Sequence, residues 1–158
     1  MMKIIPVNTG ENLEHVRILF QEYAAWLGFD LCFQDFEEEL AGLPGDYASP
    51  RGCLLLATFH NEITGCVAVR KIDDGICEMK RLFVRPQYRG LGIGRALAET
   101  AISEARTIGY HRMFLDTVPS MQRARALYDS LGFVEIGPYY HNPIPGAVYL
   151  GLDLEGQP

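Results

Sequence analysis

The sequence predicts one mixed α/β domain, in which a mainly antiparallel sheet carries helices on both faces. Its 158 residues suit a single domain, because a chain of about this size buries roughly 70% of its unfolded surface around one core. Three strand-like stretches with short connections follow one another, as in an antiparallel meander. A later strand, helix and strand form a crossover, which requires two parallel strands.

One strand and two helices are predicted before the meander. Residues 3–7 form the strand, and Asn8-Thr9 supplies capping residues for a helix that runs to about Gly28. The segment Asp35-Phe36-Glu37-Glu38 resembles a capping box with Asp35 in the cap position. The second helix therefore begins there, and it ends near Leu43-Pro44-Gly45.

The meander consists of three strands. They are predicted over residues 53–60, 63–71 and 76–84. The connections between them, Asn61-Glu62 and Asp73-Asp74-Gly75, are short enough for antiparallel hairpins. These three strands therefore lie side by side in the sheet.

The crossover follows the meander. A glycine-rich segment leads into a helix with an apolar stripe from about Gly92 to Ile108, and Gly109 ends this helix. The next elements complete the order βααβββαβαββ. They are a strand over 111–117, a helix over 120–131 and strands over 133–136 and 148–154.

Composition favours a cytoplasmic globular protein that binds no metal. Apolar residues make up 48% of the chain, its apolar runs are too short to span a bilayer, and its N-terminus lacks the apolar region of a signal peptide. We therefore expect no membrane association. The cysteines and histidines have no metal-binding spacing, so we expect reduced thiols and no metal. The cysteines are Cys32, Cys53, Cys66 and Cys77.

Charge is distributed unevenly. Residues 1–79 hold 13 acidic and 5 basic residues, whereas residues 80–158 hold 7 and 9. A basic segment, residues 80–95, has no acidic residue, which favours a bound anion. Nucleic acid is a poor candidate, because its binding proteins usually have a high pI and this chain has a pI near 5.2. A small polyphosphate fits better. The basic residues of the segment are Lys80, Arg81, Arg85, Arg89 and Arg95.

Three alternate glycines form a loop between a strand end and a helix start. Gly90, Gly92 and Gly94 allow a phosphate to approach the unpaired amides and the positive end of the helix dipole. Arg89 and Arg95 flank this loop and add charge-assisted hydrogen bonds. A tight turn without a ligand is the alternative.

The spacing of the loop excludes two common nucleotide-binding patterns. The Rossmann pattern would place a glycine at position 97, which is Leu97. The Walker pattern would place its lysine and hydroxyl at positions 95 and 96, which are Arg95 and Ala96. A different phosphate-binding loop is therefore indicated.

Two segments resemble the GNAT N-acetyltransferase superfamily. The run Arg89-x-x-Gly92-x-Gly94 fits its signature Arg/Gln-x-x-Gly-x-Gly/Ala. Residues 124–133, Ala-Arg-Ala-Leu-Tyr-Asp-Ser-Leu-Gly-Phe, resemble its second cofactor motif. The two segments lie within residues 76–136, and the elements before and after them agree with the family fold. The resemblance implies that acetyl-coenzyme A (acetyl-CoA) is the co-substrate.

By this resemblance, acetyl-CoA lies along the fourth strand with its pyrophosphate on the glycine loop. Leu82, Phe83 and Val84 then hold the pantetheine arm and the acetyl carbonyl through main-chain bonds, and one amide serves as oxyanion donor. Arg123 and Arg125 either meet the 3′-phosphate or belong to a solvated helix face. The loop residues assigned to the pyrophosphate are Arg89, Gly90, Leu91, Gly92, Ile93, Gly94 and Arg95.

Two catalytic residues are implied by the same resemblance. Tyr128 matches the family's tyrosine acid, which protonates the departing thiolate, and a packed core aromatic is the alternative. Attack on the thioester needs a neutral amine, so a proton acceptor or a favourable water relay is required near pH 7. Glu78 resembles the strand position of the base in several members, and alternation puts it on the face of Lys80 and Leu82. Alternatively, Glu78 neutralises Lys80 or Arg81.

Aromatic residues are the candidates for the acceptor site. In this fold the first two helices wall that site, and we select Tyr23, Trp26 and Phe33. A later loop between two strands contributes Tyr139 and His141. The acidic first half of the chain either attracts a cationic amine or serves solubility.

The sequence therefore predicts an N-acetyltransferase. It transfers an acetyl group from acetyl-CoA to a primary amine of a small molecule or amino acid, by direct attack in a ternary complex. A peptide or protein N-acetyltransferase is the nearest alternative, and a non-catalytic acyl-CoA-binding regulatory module is an alternative of another class. A homodimer is compatible with the sequence.

Overall fold

The computed structural model describes residues 1–27 and 35–155 and confirms the expected order of elements. Its strands are β1 (Met2–Pro6), β2 (Cys53–Phe59), β3 (Glu62–Asp73), β4 (Ile76–Val84), β5 (Arg112–Thr117), β6 (Val134–Ile136) and β7 (Val148–Asp153). Its helices are α1 (Glu11–Leu27), α2 (Phe36–Ala41), α3 (Ile93–Ile108) and α4 (Gln122–Ser130). Short 3₁₀ turns lie at Gly45–Tyr47 and Pro86–Tyr88.

The strands form a seven-stranded sheet in the order β1-β2-β3-β4-β5-β7-β6. Strands β4 and β5 are parallel, as the crossover requires, and the other neighbouring pairs are antiparallel. The β4–β5 pairing extends only from Ile76 and Arg112 to Glu78 and Phe114. Beyond Glu78 the two strands separate, which opens the middle of the sheet.

A β-bulge interrupts β4 at Arg81. This residue has φ of 61°, and the register with β3 shifts between Cys66 and Ala68. The extra residue reverses the alternation of side chains, so Leu82 packs into the core that also contains Met79. The prediction that Glu78 and Leu82 share one face is therefore wrong, because simple alternation does not hold across a bulge.

Both faces of the sheet are covered, as predicted. Along β2, Leu55 and Ala57 pack into the core beneath α3, whereas Leu54 and Leu56 pack into the core beneath α1 and α2. On α3 the apolar stripe is buried from Ile93 onwards. The two cores fix β4 between the α1 and α2 layer and the α3 layer.

The predicted capping box at Asp35 is wrong. Asp35 precedes α2 with φ of 54°, in the left-handed region, and its side chain makes no capping hydrogen bond. A capping side chain normally requires an extended backbone at that position. The buried side chains of Phe36 and Leu40 instead attach this short helix to the core.

Ion pairs dock the acidic helices onto the basic segment. The Arg81 guanidinium donates to both carboxylate oxygens of Glu39 in α2, at 2.9 and 2.8 Å. Arg85 makes the same two-pronged contact with Glu22 of α1, at 2.9 and 2.8 Å. Two arginines of the basic segment are therefore neutralised within the protein, and part of the acidic excess of the first half serves to neutralise them.

Candidate active site

The glycine loop has the backbone that its sequence predicts. Gly90 and Gly92 have φ of 83° and 82°, where side chains are strained, and a β-carbon at either position would meet no atom within 4 Å. Gly92 directly precedes α3. The first amides of α3 therefore point towards open space, where an anion can bind them.

A cavity of about 420 Å³ lies between this loop, the end of β4 and the start of α4. Its size suits a small-molecule ligand. Leu91 and Arg95 do not line it. Leu91 is exposed, and Arg95 donates to the Ser130 hydroxyl at 2.5 Å. The predicted cofactor residues that line the cavity are Leu82, Phe83, Val84, Arg89, Gly90, Gly92, Ile93 and Gly94.

Two guanidinium groups bring positive charge to this cavity. Arg89 and Arg123 both line it, and partial burial together with the charge of Arg123 lowers the pKa of Arg89. Arg89 is held by a bond from its Nε to the Val84 carbonyl at 3.0 Å and by the Trp26 ring, 4.6 Å away. Arg125 instead pairs with Asp129 at 3.2 Å. The arrangement favours an anionic ligand between Arg89 and Arg123.

Trp26 belongs to this cavity wall. The sequence predicts Trp26 as an acceptor-site residue, whereas its ring lies beside Arg89 and Phe83 and lines the cofactor cavity. Tyr23, one helical turn earlier, lies between Phe83 and Arg81. Burial raises the pKa of Tyr23 to about 12. Successive turns of α1 therefore face the cavity and the sheet opening.

Tyr128 combines a packed ring with an available hydroxyl. The side chain is 6% exposed, and its ring meets Phe133 edge-on with the centroids 5.7 Å apart. Within the described residues the hydroxyl makes no hydrogen bond. Burial raises its pKa, and the nearby Tyr23 and Asp116 raise it further. The hydroxyl therefore stays protonated and can donate to a ligand.

Glu78 is buried and fully engaged. It is 1% exposed, its Oε1 accepts from Arg70 Nε at 2.9 Å, and its Oε2 accepts from the Tyr139 hydroxyl at 2.6 Å. Its ion-pair partner is thus Arg70, whereas the charge-neutralising alternative expected Lys80 or Arg81. The role of Glu78 as a base stays a prediction.

Asp116 is a site residue that the sequence analysis missed. It lies on β5 beyond the end of the β4 pairing and accepts from Asn142 Nδ2 at 2.7 Å and from the Tyr140 hydroxyl, both at Oδ2. The sequence signal that could have found it is a carboxylate two residues after Phe114, on the same face of a mainly apolar strand. The loop between β6 and β7 therefore contacts both of the strands that separate, β4 at Glu78 and β5 at Asp116.

Two candidates for the acceptor site are not placed among these residues. His141 is exposed, and Phe33 and Cys32 lie outside the described residues.

Within residues 1–27 and 35–155, no group of three or more His, Cys, Asp or Glu side chains is placed to hold a metal ion. Cys53, Cys66 and Cys77 are free thiols. The same ranges contain no helix that combines the length and the hydropathy of a membrane span.

Comparisons with known proteins agree with this geometry. The model of the acetyltransferase (GNAT) family matches residues 14–133. An uncharacterised N-acetyltransferase of Schizosaccharomyces pombe is 42% identical over 155 residues, which are 97% of this chain and 95% of that protein. The N-acetylaspartate synthetase of Xenopus tropicalis is 33% identical over 105 residues, 66% of this chain and 39% of that protein. A GNAT-family acetyltransferase of Staphylococcus aureus shares the fold, with a TM-score of 0.80, 22% identity and coverage of 98% and 100%.

Proposed function

The chain belongs to the acetyltransferase (GNAT) family, and on this premise we propose that it transfers an acetyl group from acetyl-CoA to the primary amine of a small molecule or amino acid. The observation that carries the proposal is the cavity beside the glycine loop, together with the Tyr128 hydroxyl on the adjoining helix, which makes no hydrogen bond within residues 1–27 and 35–155. The relation to an N-acetylaspartate synthetase, whose product is an acetylated amino acid, supports an amino acid acceptor.

The donor binds along β4 and the glycine loop. Past Glu78, β4 has no β5 partner, so main-chain groups from Leu82 to Val84 on that side are available to hold the pantetheine arm and the acetyl carbonyl. The loop amides bind the pyrophosphate between Arg89 and Arg123. Acetyl-CoA supplies an activated thioester, and the protein supplies position and hydrogen-bond donors.

In the proposed reaction the amine attacks the thioester directly, and proton transfers accompany the formation of the C–N bond and the breaking of the C–S bond. As the amine nitrogen bonds to the carbonyl carbon, its proton passes to the Tyr139 oxygen, and the Tyr139 hydroxyl proton passes to Glu78 Oε2. The C–S bond then breaks, and Tyr128 donates its proton to the departing thiolate. This relay gives the buried Glu78 access to the acceptor through the half-buried Tyr139.

Arg123→Ala is expected to weaken acetyl-CoA binding about tenfold at low salt, since it removes one charge-assisted contact to a phosphate. The difference should shrink as ionic strength rises. Arg125→Ala is the matched control on the same helix, because Arg125 is paired with Asp129. Calorimetric titration of each variant measures the effect, and an equal loss in both variants would remove Arg123 from the site.

Tyr139→Phe is expected to lower kcat about tenfold. The relay loses its hydroxyl, although a water molecule in the vacated space can carry the proton at reduced efficiency. Glu78→Gln and the double variant test whether the two residues act as one unit. A double variant no slower than the worse single one supports the relay, whereas multiplicative losses would show independent roles.

A thiol-release screen tests the proposed function. Purified protein is incubated with acetyl-CoA and a panel of amines, amino acids and peptides, and free thiol is followed over time. We expect release with small amines or amino acids. Release with peptides alone would favour a peptide acetyltransferase, and tight acetyl-CoA binding without release would favour a regulatory module.

A further inference from the structure

The face of β4 that points towards α1 and α2 carries a buried lysine, Lys80, beside two arginines. Arg81 is paired with Glu39, and Arg70 from the neighbouring strand is paired with Glu78. Lys80 lies between Glu78 and Arg81 in the sequence and is 9% exposed. Arg70 also lies 4.0 Å from the exposed carboxylate of Asp46. Both arginines therefore have carboxylate partners, whereas Lys80 forms no ion pair within the described residues.

Lys80 is buried without a carboxylate partner in the part of the chain that the structure describes. Within residues 1–27 and 35–155, no carboxylate lies within ion-pair distance of its ammonium group. Burial lowers the pKa of Lys80 to about 8, and the charges of Arg81 and Arg70 lower it as well, against the opposing effects of Glu78 and Glu39. A buried cation without a partner is unfavourable. An anionic ligand group would relieve this cost.

Lys80 is also close to the reacting end of the donor site. It precedes Leu82, which lines the cofactor cavity, by two residues, with the bulge at Arg81 between them. It is the next residue on the Glu78 face beyond the point where β5 leaves β4. On the β5 side of this opening lies Asp116, whose Oδ2 is occupied by Tyr140 and Asn142. A zwitterion therefore finds opposite charges across the opening.

We propose that Lys80 binds a carboxylate of the acceptor, so that the enzyme acetylates amino acids in preference to cationic amines. The acceptor class rests on the N-acetyltransferase function proposed above. In an amino acid the carboxylate lies a few bonds from the attacking nitrogen, and along β4 Lys80 lies two residues from Leu82 of the cavity wall. The acidic first half of the chain does not argue for a cationic acceptor here, because Glu22 and Glu39 already neutralise arginines.

The test compares matched acceptors and matched variants. Amino acids are assayed beside the same compounds with a carboxylate converted to a carboxamide, and beside linear polyamines. Lys80→Met removes the charge and keeps the apolar stem, Lys80→Arg keeps the charge, and Lys71→Met is the control at an exposed lysine paired with Asp74. Replacing an unpaired buried charge by an apolar group is not expected to prevent folding, and an unchanged acetyl-CoA affinity verifies this.

We expect wild-type protein and Lys71→Met to prefer the acid over its amide by about tenfold or more in kcat/KM, the effect of one charge-assisted hydrogen bond. Lys80→Met should reduce this ratio to near one by slowing the acid alone, and Lys80→Arg should keep part of it. The wild-type preference should also fall as the pH rises through about 8, because Lys80 then loses its proton.

Two results would overturn the assignment of Lys80. One is a wild-type protein that acetylates amides or polyamines as well as acids, and the other is an undiminished preference in Lys80→Met. In both, thiol release itself continues, so the N-acetyltransferase function stands. Absence of thiol release with every acceptor, despite acetyl-CoA binding, contradicts the proposed function, and the acceptor assignment fails with it.

Discussion

Tyr128→Phe is expected to lower kcat by about 10²- to 10⁴-fold, the usual effect of removing a positioned acid. The departing thiolate then has to take its proton from water. Affinity for acetyl-CoA should not change, because the ring keeps its place and the cofactor cavity is lined by other residues of α4. Presteady-state measurement of thiol release at saturating acetyl-CoA gives the loss in the chemical step directly.

The control for this variant is Tyr110→Phe. Tyr110 is also a buried tyrosine, and its hydroxyl donates to the Arg51 carbonyl at 2.6 Å, remote from the cofactor cavity. Removing that bond costs about 1 kcal/mol of stability and should leave kcat unchanged. Unchanged turnover in Tyr128→Phe would reduce Tyr128 to a core aromatic packed on Phe133.

Gly92→Val is expected to raise the Kd of acetyl-CoA by about 100-fold. Gly92 has φ of 82° and adjoins the cavity. A branched side chain there projects into the space that the pyrophosphate needs and also disfavours the left-handed backbone that aims the α3 amides. The loss of about 2.7 kcal/mol in binding corresponds to this ratio, and calorimetric titration measures it.

Gly10→Val separates the loss of binding from backbone strain. Gly10 has φ of 80°, immediately precedes α1 and has the same open space around its missing β-carbon. Both variants therefore pay a similar conformational cost, about 1–2 kcal/mol. If Gly10→Val also loses acetyl-CoA affinity, general destabilisation explains Gly92→Val, and the phosphate loop loses its support.

The sequence predicted the fold well because the elements carry strong local patterns. The apolar stripe from Ile93 to Ile108 and the stop at Gly109 lie within one segment, and α3 has these bounds. The parallel pairing of β4 and β5 followed from the strand–helix–strand crossover rather than from any single residue. Local chemistry therefore determined the order of the elements, the covering of both sheet faces by helices and the glycine loop.

Details of the site depended on contacts between distant residues. The bulge at Arg81 shows no sequence signal, and it reversed the expected faces of β4. The partner of Glu78 proved to be Arg70 on β3 and Tyr139 in a distant loop, which no spacing along the chain reveals. Charge counting indicated an anion site but could not tell the neutralised Arg81 and Arg85 from the available Arg89.

The most direct test of the account follows the acetyl group itself. Acetyl-CoA with a labelled acetyl group is reacted with an excess of amino acids, and both the small-molecule products and the intact protein are analysed by mass spectrometry. Direct transfer predicts one N-acetylated amino acid for each thiol released and no label on the protein. Label retained on the protein, or thiol release without an acetylated amine, would contradict it.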